Sequence, residues 1–389
     1  MLATAIQRNL LTRKDLSVIG ISAAVYIVFV LIRDLFINEL GGDFLLSDIV
    51  FFFKYVLLAY AYVMLLREKT ITYLVDVIVH LTLVSFIFYF FQIIGFKDQL
   101  FDFSRSLTFN SGFNPLEGVD GYTNFIIFAL TVGRHDYANS GFLWEPGAFG
   151  CFLILALLFN LFKNKFRYEG KSTILIIGIL TTISTTNYIA LIIVLFILYR
   201  VRVPKLNKWF FALVLLPIAI ALLFILPIFG DKILYVYNSD MLDLTRLKTL
   251  EKYYHKQHAQ IPLNRFASIE FVYDTFGPKL ILGVSNKYDV ILNKKNDVNI
   301  SNGIPDFVAR FGILWLIFLF YRFLKFCSLY LPKAELLIYC GLVLFVMSFG
   351  EPILILPICL IFLFLPLIKL ESEEKGSDKY TRRGMPQPY

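Results

Sequence analysis

Two glutamate–proline dipeptides stand where apolar runs meet polar sequence: Glu145-Pro146 in "FLWEPGAF" and Glu351-Pro352 in "SFGEPILILP". A carboxylate close to hydrocarbon is costly, so each one calls for a partner or a task. Pro146 suits the first position of a helix, where its missing N–H would be unpaired anyway. Glu145 then stands at the positive end of that helix's dipole, where negative charge is stabilised. Trp144 suits the aromatic belt at a membrane interface. A carboxylate so placed can act as a general base; a charged helix start accounts for the same residues. Glu351-Pro352 predicts a second helix start in the turn between the last two apolar runs, either converging with the first on one cavity or simply opening a helix at the interface.

The second chemistry is that of arginine, whose forked donors hold phosphate oxygens. Arg134 precedes the Trp-Glu-Pro-Gly turn by ten residues. Arg246 and Arg265 fall in a long polar stretch, and Arg310 lies just inside the following apolar run. Arg265 opens an amphipathic segment, where its charge opposes the helix dipole and gains nothing locally. That points to a partner elsewhere, either a loop carboxylate or a ligand phosphate. Within the apolar runs, Asp76 and His80 are one helical turn apart and Lys54 is mid-run. They read as a linked proton path or as structurally satisfied groups. His255 and His258 have no carboxylate at ligand spacing, so no metal is expected, and no phosphate-loop or hydrolase motif points to a cofactor.

The elements that carry these residues are dictated by composition. Of 389 residues, 58% are hydrophobic and 17% aromatic, beyond the usage of soluble domains. Apolar runs predict spans at roughly 17–33, 44–66, 72–95, 146–163, 172–184, 186–200, 209–229, 303–321, 334–350 and 353–368. The fold class expected is therefore an all-α polytopic membrane protein of about ten segments in one domain over 1–370, with a polar tail over 371–389. The net charge of +8 collects in alternate connections, such as "KNKFRYEGK" and "RVRVPKLNK", which argues against nucleic acid as a partner. By the positive-inside rule both termini are cytoplasmic, and the loops 96–143 and 230–300 are outside. Residues 172–200 have basic flanks at both ends, which predicts a short hairpin with a polar tip at Thr185-Thr186-Asn187. In the large loop, a polar helix is expected over 241–260. An amphipathic helix follows over 264–278, burying Phe266, Ile269, Val272 and Phe276, and then an extended return. The four cysteines have no CxxC spacing and read as packing residues.

Taken in order, four segments resemble the Wzy-type O-antigen and capsule repeat-unit polymerases and the related O-antigen ligases. They are "FLWEPGAFGCFL" (142–153), "TTISTTNYIALIIVL" (181–195), "NRFASIEFVYDTFGPKLILGVS" (264–285) and "SNGIPDFVARFGILWLIFLF" (301–320). The resemblance implies a glycosyltransferase on the outer side of a bacterial cytoplasmic membrane, independent of metal and nucleotide sugar. It would transfer a polyprenyl-pyrophosphate-linked oligosaccharide onto a second lipid-linked acceptor. A flippase and a chain-length regulator of the same pathway would be its partners in the lipid bilayer. "NISNGIPD" lacks the histidine expected of a ligase there, which favours polymerase. The residues so implicated are Glu145 as base and Arg134 and Arg265 as cations facing the leaving group. Trp144, Asn187, Arg246, Asn302, Arg310 and Glu351 would bind substrate.

Overall fold

A computed structural model describes residues 12–106, 121–124, 127–132, 137–202, 238, 261–263, 265–296, 298–331 and 333–368. The chain is a multi-pass helical membrane protein. Four helical stretches are long and apolar enough to cross a membrane, or five if the bent pair around Gly312 is one span. The expected spans at 172–184 and 334–350 form shorter apolar helices, and 209–229 lies outside the described residues.

Helix α1 (Arg13–Leu31) starts at a capping box: the Thr12 hydroxyl accepts from the Asp15 amide, and the Asp15 carboxylate accepts from the Thr12 amide. It runs on through a π-turn at Ile32–Ile37. Helix α2 (Gly42–Phe51) joins α3 (Leu57–Leu66) through a second π-turn, Phe52–Val56. At the end of α3 the backbone breaks at Arg67 (φ 47°), whose guanidinium pairs with Asp15 at 3.2 Å. Helix α4 (Thr70–Phe91) leads through a third π-turn to α5 (Lys97–Ser106), and then to an antiparallel pair, β1 (Gly121–Asn124) and β2 (Ala129–Val132).

Helix α6 (Pro146–Lys163) is apolar on every side, and such a helix is stable only when surrounded. It is 83% buried, flanked by α4, α7 (Gly170–Thr181) and α8 (Thr185–Arg202). The predicted hairpin is present. The start of α7 and the end of α8 share one end of the bundle: Asn160 donates to Ser172 at 2.9 Å, and Arg202 Nε donates to the Phe166 carbonyl at 2.7 Å. The turn comes earlier than expected, at Thr182–Ser184 with Ile183 at φ 49°, and Thr185-Thr186-Asn187 is the first turn of α8.

Two expected spans are corrected. The run 303–321 is two helices, α11 (Gly303–Phe311) and α12 (Ile313–Ser328), bent by 116° at Gly312. Gly312 (φ 91°) and Gly283 (φ 79°) meet backbone to backbone, and a Cβ on either would overlap the other strand of chain. After α13 (Ala334–Gly350), the run 353–368 is not one helix but short pieces, including α14 (Pro357–Leu360) and a 3₁₀ turn Ile361–Leu363. Prolines 352, 357 and 366 remove helix donors throughout that run. Arg322 Nε answers one freed carbonyl, Leu363, at 2.8 Å.

The polar segment before α11 has its own core, built on β3 (Ile261–Leu263) parallel to β4 (Val298–Ile300), α9 (Arg265–Phe276) and α10 (Tyr288–Asn296). The buried face of α9 is Ala267, Ser268, Phe271, Val272 and Phe276, with Ile269 44% exposed. That face is turned by about one residue from the predicted stripe, because it packs on α11. The return after α9 is a 3₁₀ turn, Gly277–Ile281, rather than extended chain. The expected helix over 241–260 lies outside the described residues.

A buried ionic cluster ties this segment to the spans. Arg33 pairs with Asp34 at 2.7 Å and Asp48 at 2.8 Å, with all three side chains fully buried. Asp48 also accepts from Ser285 Oγ at 2.6 Å and from the Asn286 amide at 2.7 Å. Removing one partner of a buried pair strands the other charge, so Asp48→Ala should lower stability by about 3–5 kcal/mol. Chemical unfolding of the purified chain in detergent checks this, with Ser285→Ala expected to lose far less.

Candidate functional site

Five chain segments meet at one end of the bundle. Glu145 is the N-cap of α6 in extended conformation (φ −152°, ψ 157°), and its side chain makes no capping hydrogen bond. The carboxylate is free to turn elsewhere, and Trp144 Nε1 donates to its Oε1 at 3.2 Å. Glu351 follows α13 in extended conformation and does not begin a helix, so the prediction of a second Glu-Pro helix start is corrected. The two dipeptides nonetheless come together. The Glu351 carboxyl, 4% exposed, lies against Gly147 in the first turn of α6, where a Cβ would occupy the position of its Oε1. Its titration feels the neighbouring Glu145 carboxylate.

Arg265 enters from the start of α9. Its Nη1 donates to Thr186 Oγ1 at 3.0 Å, and its Nη2 is 3.8 Å from Glu351 Oε1. Its backbone is fixed by Asn302, whose Nδ2 donates to the Arg265 carbonyl at 2.8 Å while its Oδ1 caps α11 through the Ile304 amide at 3.0 Å. Asn187 donates to the Gly147 carbonyl at 2.9 Å and accepts from Cys151. Both asparagines are fully buried, and their polar groups are spent on protein atoms. They position Arg265 and the first turn of α6 rather than reaching outward to sugar hydroxyls.

Other predicted residues lie apart. Arg310 pairs with Asp306 at 3.0 Å, donates to Asn286, and lines a cavity of about 210 Å³ with Tyr288 and Pro352. Arg134 and Arg246 lie outside the described residues. Of the intramembrane trio, Asp76 and His80 are linked, and Lys54 is joined to neither among the described residues. Asp76 pairs with Lys171 at 2.6 Å, His80 Nδ1 bonds the Asp76 carbonyl, and Lys54 contacts the Tyr55 ring. Among the described residues, no group of three or more His, Cys, Asp or Glu is arranged to hold a metal ion.

Thr186, expected only as part of a polar hairpin tip, belongs to the site, and so do Gly147 and Gly150, which had not been singled out. A Cβ on Gly150 would strike Asn187, as one on Gly147 would strike Glu351. Their signal was the pair of small residues three apart on one face of an apolar helix, which marks a close approach. No family model, no curated protein and no solved structure matches the chain.

Burial pushes the Glu351 carboxyl well above the ordinary carboxylate range, and the neighbouring Glu145 carboxylate pushes it the same way. The Arg265 guanidinium pulls it down, but at 3.8 Å it is outweighed. The arrangement is thus a buried carboxyl whose proton is held more tightly than usual, next to a second carboxyl and a 36% exposed guanidinium. It can move a proton and hold an anion.

The sign of the pH dependence follows. The folded chain binds the Glu351 proton more tightly than the unfolded chain, whose carboxyl titrates near 4.5. Stability is highest below that range and falls as pH rises toward the raised folded value. Glu351→Gln keeps a donor for Glu145 without the titration, so it should melt higher than wild type at about pH 7.5 and equal it at about pH 4. Thermal unfolding across that interval is the measurement.

Proposed function

We propose that the protein is a polysaccharide repeat-unit polymerase. It transfers a polyprenyl-pyrophosphate-linked glycan onto the non-reducing end of a second lipid-linked oligosaccharide. The observation that carries this reading is the convergence of Glu145, Glu351 and Arg265 where the apolar helices meet a polar segment. A carboxyl pair and a cation are what such a transfer needs. The acceptor hydroxyl oxygen bonds to the donor's anomeric carbon, and its proton passes to Glu145. The anomeric C–O bond breaks with its electron pair onto pyrophosphate, whose growing charge faces Arg265. Arg134 and Arg246 are proposed as further cations, and Trp144 as the group that orients Glu145 and packs on a sugar face.

The proposed topology has about ten membrane segments, with both termini in the cytoplasm and the loops 96–143 and 230–300 on the outer side of a bacterial cytoplasmic membrane. The resemblance to the polymerases in four ordered segments supports this reading, as does the absence of a histidine from "NISNGIPD". A lipid-glycan transporter, the alternative reading, would draw on Asp76, His80 and Lys54 acting together, and Lys54 is joined to neither of the others among the described residues.

Reconstitution with a lipid-linked repeat unit alone tests the proposal. A ladder of products is the expected result. Product only on addition of a second class of acceptor indicates a ligase, and vectorial movement without new bonds indicates a transporter. Glu145→Gln and Arg265→Ala should each cut chain growth by about 100-fold or more at unchanged protein level. Unaltered polymer lengths in both would remove these residues from the mechanism.

A further inference from the structure

Lys54 has no task in the site just described. It lies in the π-turn Phe52–Val56, twelve residues from each end of the apolar stretch Gly42–Leu66. At 1.5 Å per residue that is about 18 Å from either end, the middle of a hydrocarbon core about 30 Å thick. The stretch has a charged turn, Arg67–Lys69, at one end and Asp43 at the other, so sliding it along the membrane normal does not free the ammonium. Lys54 is exposed, on a stripe with Leu46, Val50, Phe53 and Leu58, which are 61%, 50%, 52% and 48% exposed. Its one contact among the described residues is the Tyr55 ring, 5.3 Å from the ammonium. A lysine at mid-bilayer costs about 2.5–3.5 kcal/mol on insertion scales, and π-turns recur at functional positions.

Among the described residues no carboxylate pairs with Lys54. Asp15 pairs with Arg67, Asp34 and Asp48 with Arg33, Asp76 with Lys171 and Glu335 with Arg200. Residues 203–229 contain no Asp or Glu at all. A second copy would therefore bring no spare carboxylate to this depth. We propose that the exposed face of α2–α3 around Lys54 docks a membrane-spanning helix of a different protein, one that carries an aspartate or glutamate at mid-span. The aliphatic stripe supplies packing, and the ion pair supplies selectivity in a medium where an unpaired charge is expensive.

The test reconstitutes the full chain in phosphatidylcholine vesicles with a dye-labelled Leu/Ala transmembrane peptide bearing one central Asp, and with its all-apolar counterpart. Energy transfer from donor-labelled protein reads association. The Asp peptide should associate at least about tenfold more strongly than the apolar one. Lys54→Met should erase the difference, Lys54→Arg should keep it, and Val50→Trp should weaken it by blocking the stripe. Equal association of the two peptides with the wild type overturns the proposal, as does an Asp preference that survives Lys54→Met. Lys54-dependent energy transfer between two labelled copies of the chain overturns it in favour of self-association. Should Lys54→Met fail to fold, the Val50→Trp and Lys54→Arg results decide alone.

Discussion

Arg33 is the constraint on which the polar segment carrying α9 and α11 rests. A fully buried guanidinium must keep its counter-charges, because losing one leaves a charge in a medium that cannot solvate it. Asp34 and Asp48 meet that need, and Asp48 has acceptor capacity left for Ser285 and the Asn286 amide. Asn38 adds bonds to the Gly283 and Val284 carbonyls, and Arg33 reaches the Arg310 carbonyl at 2.8 Å. The first two spans thus grip the segment that carries α9 and α11. Arg265 and Asn302 sit at the starts of those helices, so the cluster sets where the site's cation stands.

The other side of the site is set by what is missing from four residues. Gly147, Gly150, Gly303 and Gly350 let Glu351, Asn187, the Glu351 backbone and Thr186 approach closer than any side chain would permit. Each contact joins a different pair of segments, and together they bring the α6 N-terminus, the start of α8 and the turn after α13 into one constellation. Close packing through small residues is the usual means of helix association in lipid. Here it also drives a carboxyl into a dry position, and dryness is the main cause that raises the affinity of Glu351 for its proton.

Much of this was legible beforehand. The apolar runs, the hairpin with two basic flanks, the role of Pro146 and the need for a distant partner at Arg265 all follow from local chemistry. Other features were not legible, and each has a cause in long-range contact. The bend at Gly312 exists because Gly283 passes against it, a meeting of residues in separate elements. The run 353–368 has the hydropathy of a span, yet its prolines and the Arg322 bond to Leu363 keep it in short buried pieces. Asn187 and Asn302 looked like ligands for sugar, and only their neighbours reveal that each is buried and bonded to protein atoms.

Taken by itself, the sequence determined that the chain would be helical and membrane-embedded, and that carboxylates and arginines would collect at the ends of its apolar runs. Composition and periodicity decide such things because the cost of exposing backbone or charge to hydrocarbon is paid residue by residue. Tertiary structure alone decided which of those groups meet. Glu145 and Glu351 are more than two hundred residues apart in the chain, and their meeting depends on a glycine in one helix and a turn after another. Pairing of that kind is a property of packing, to which no local pattern has access.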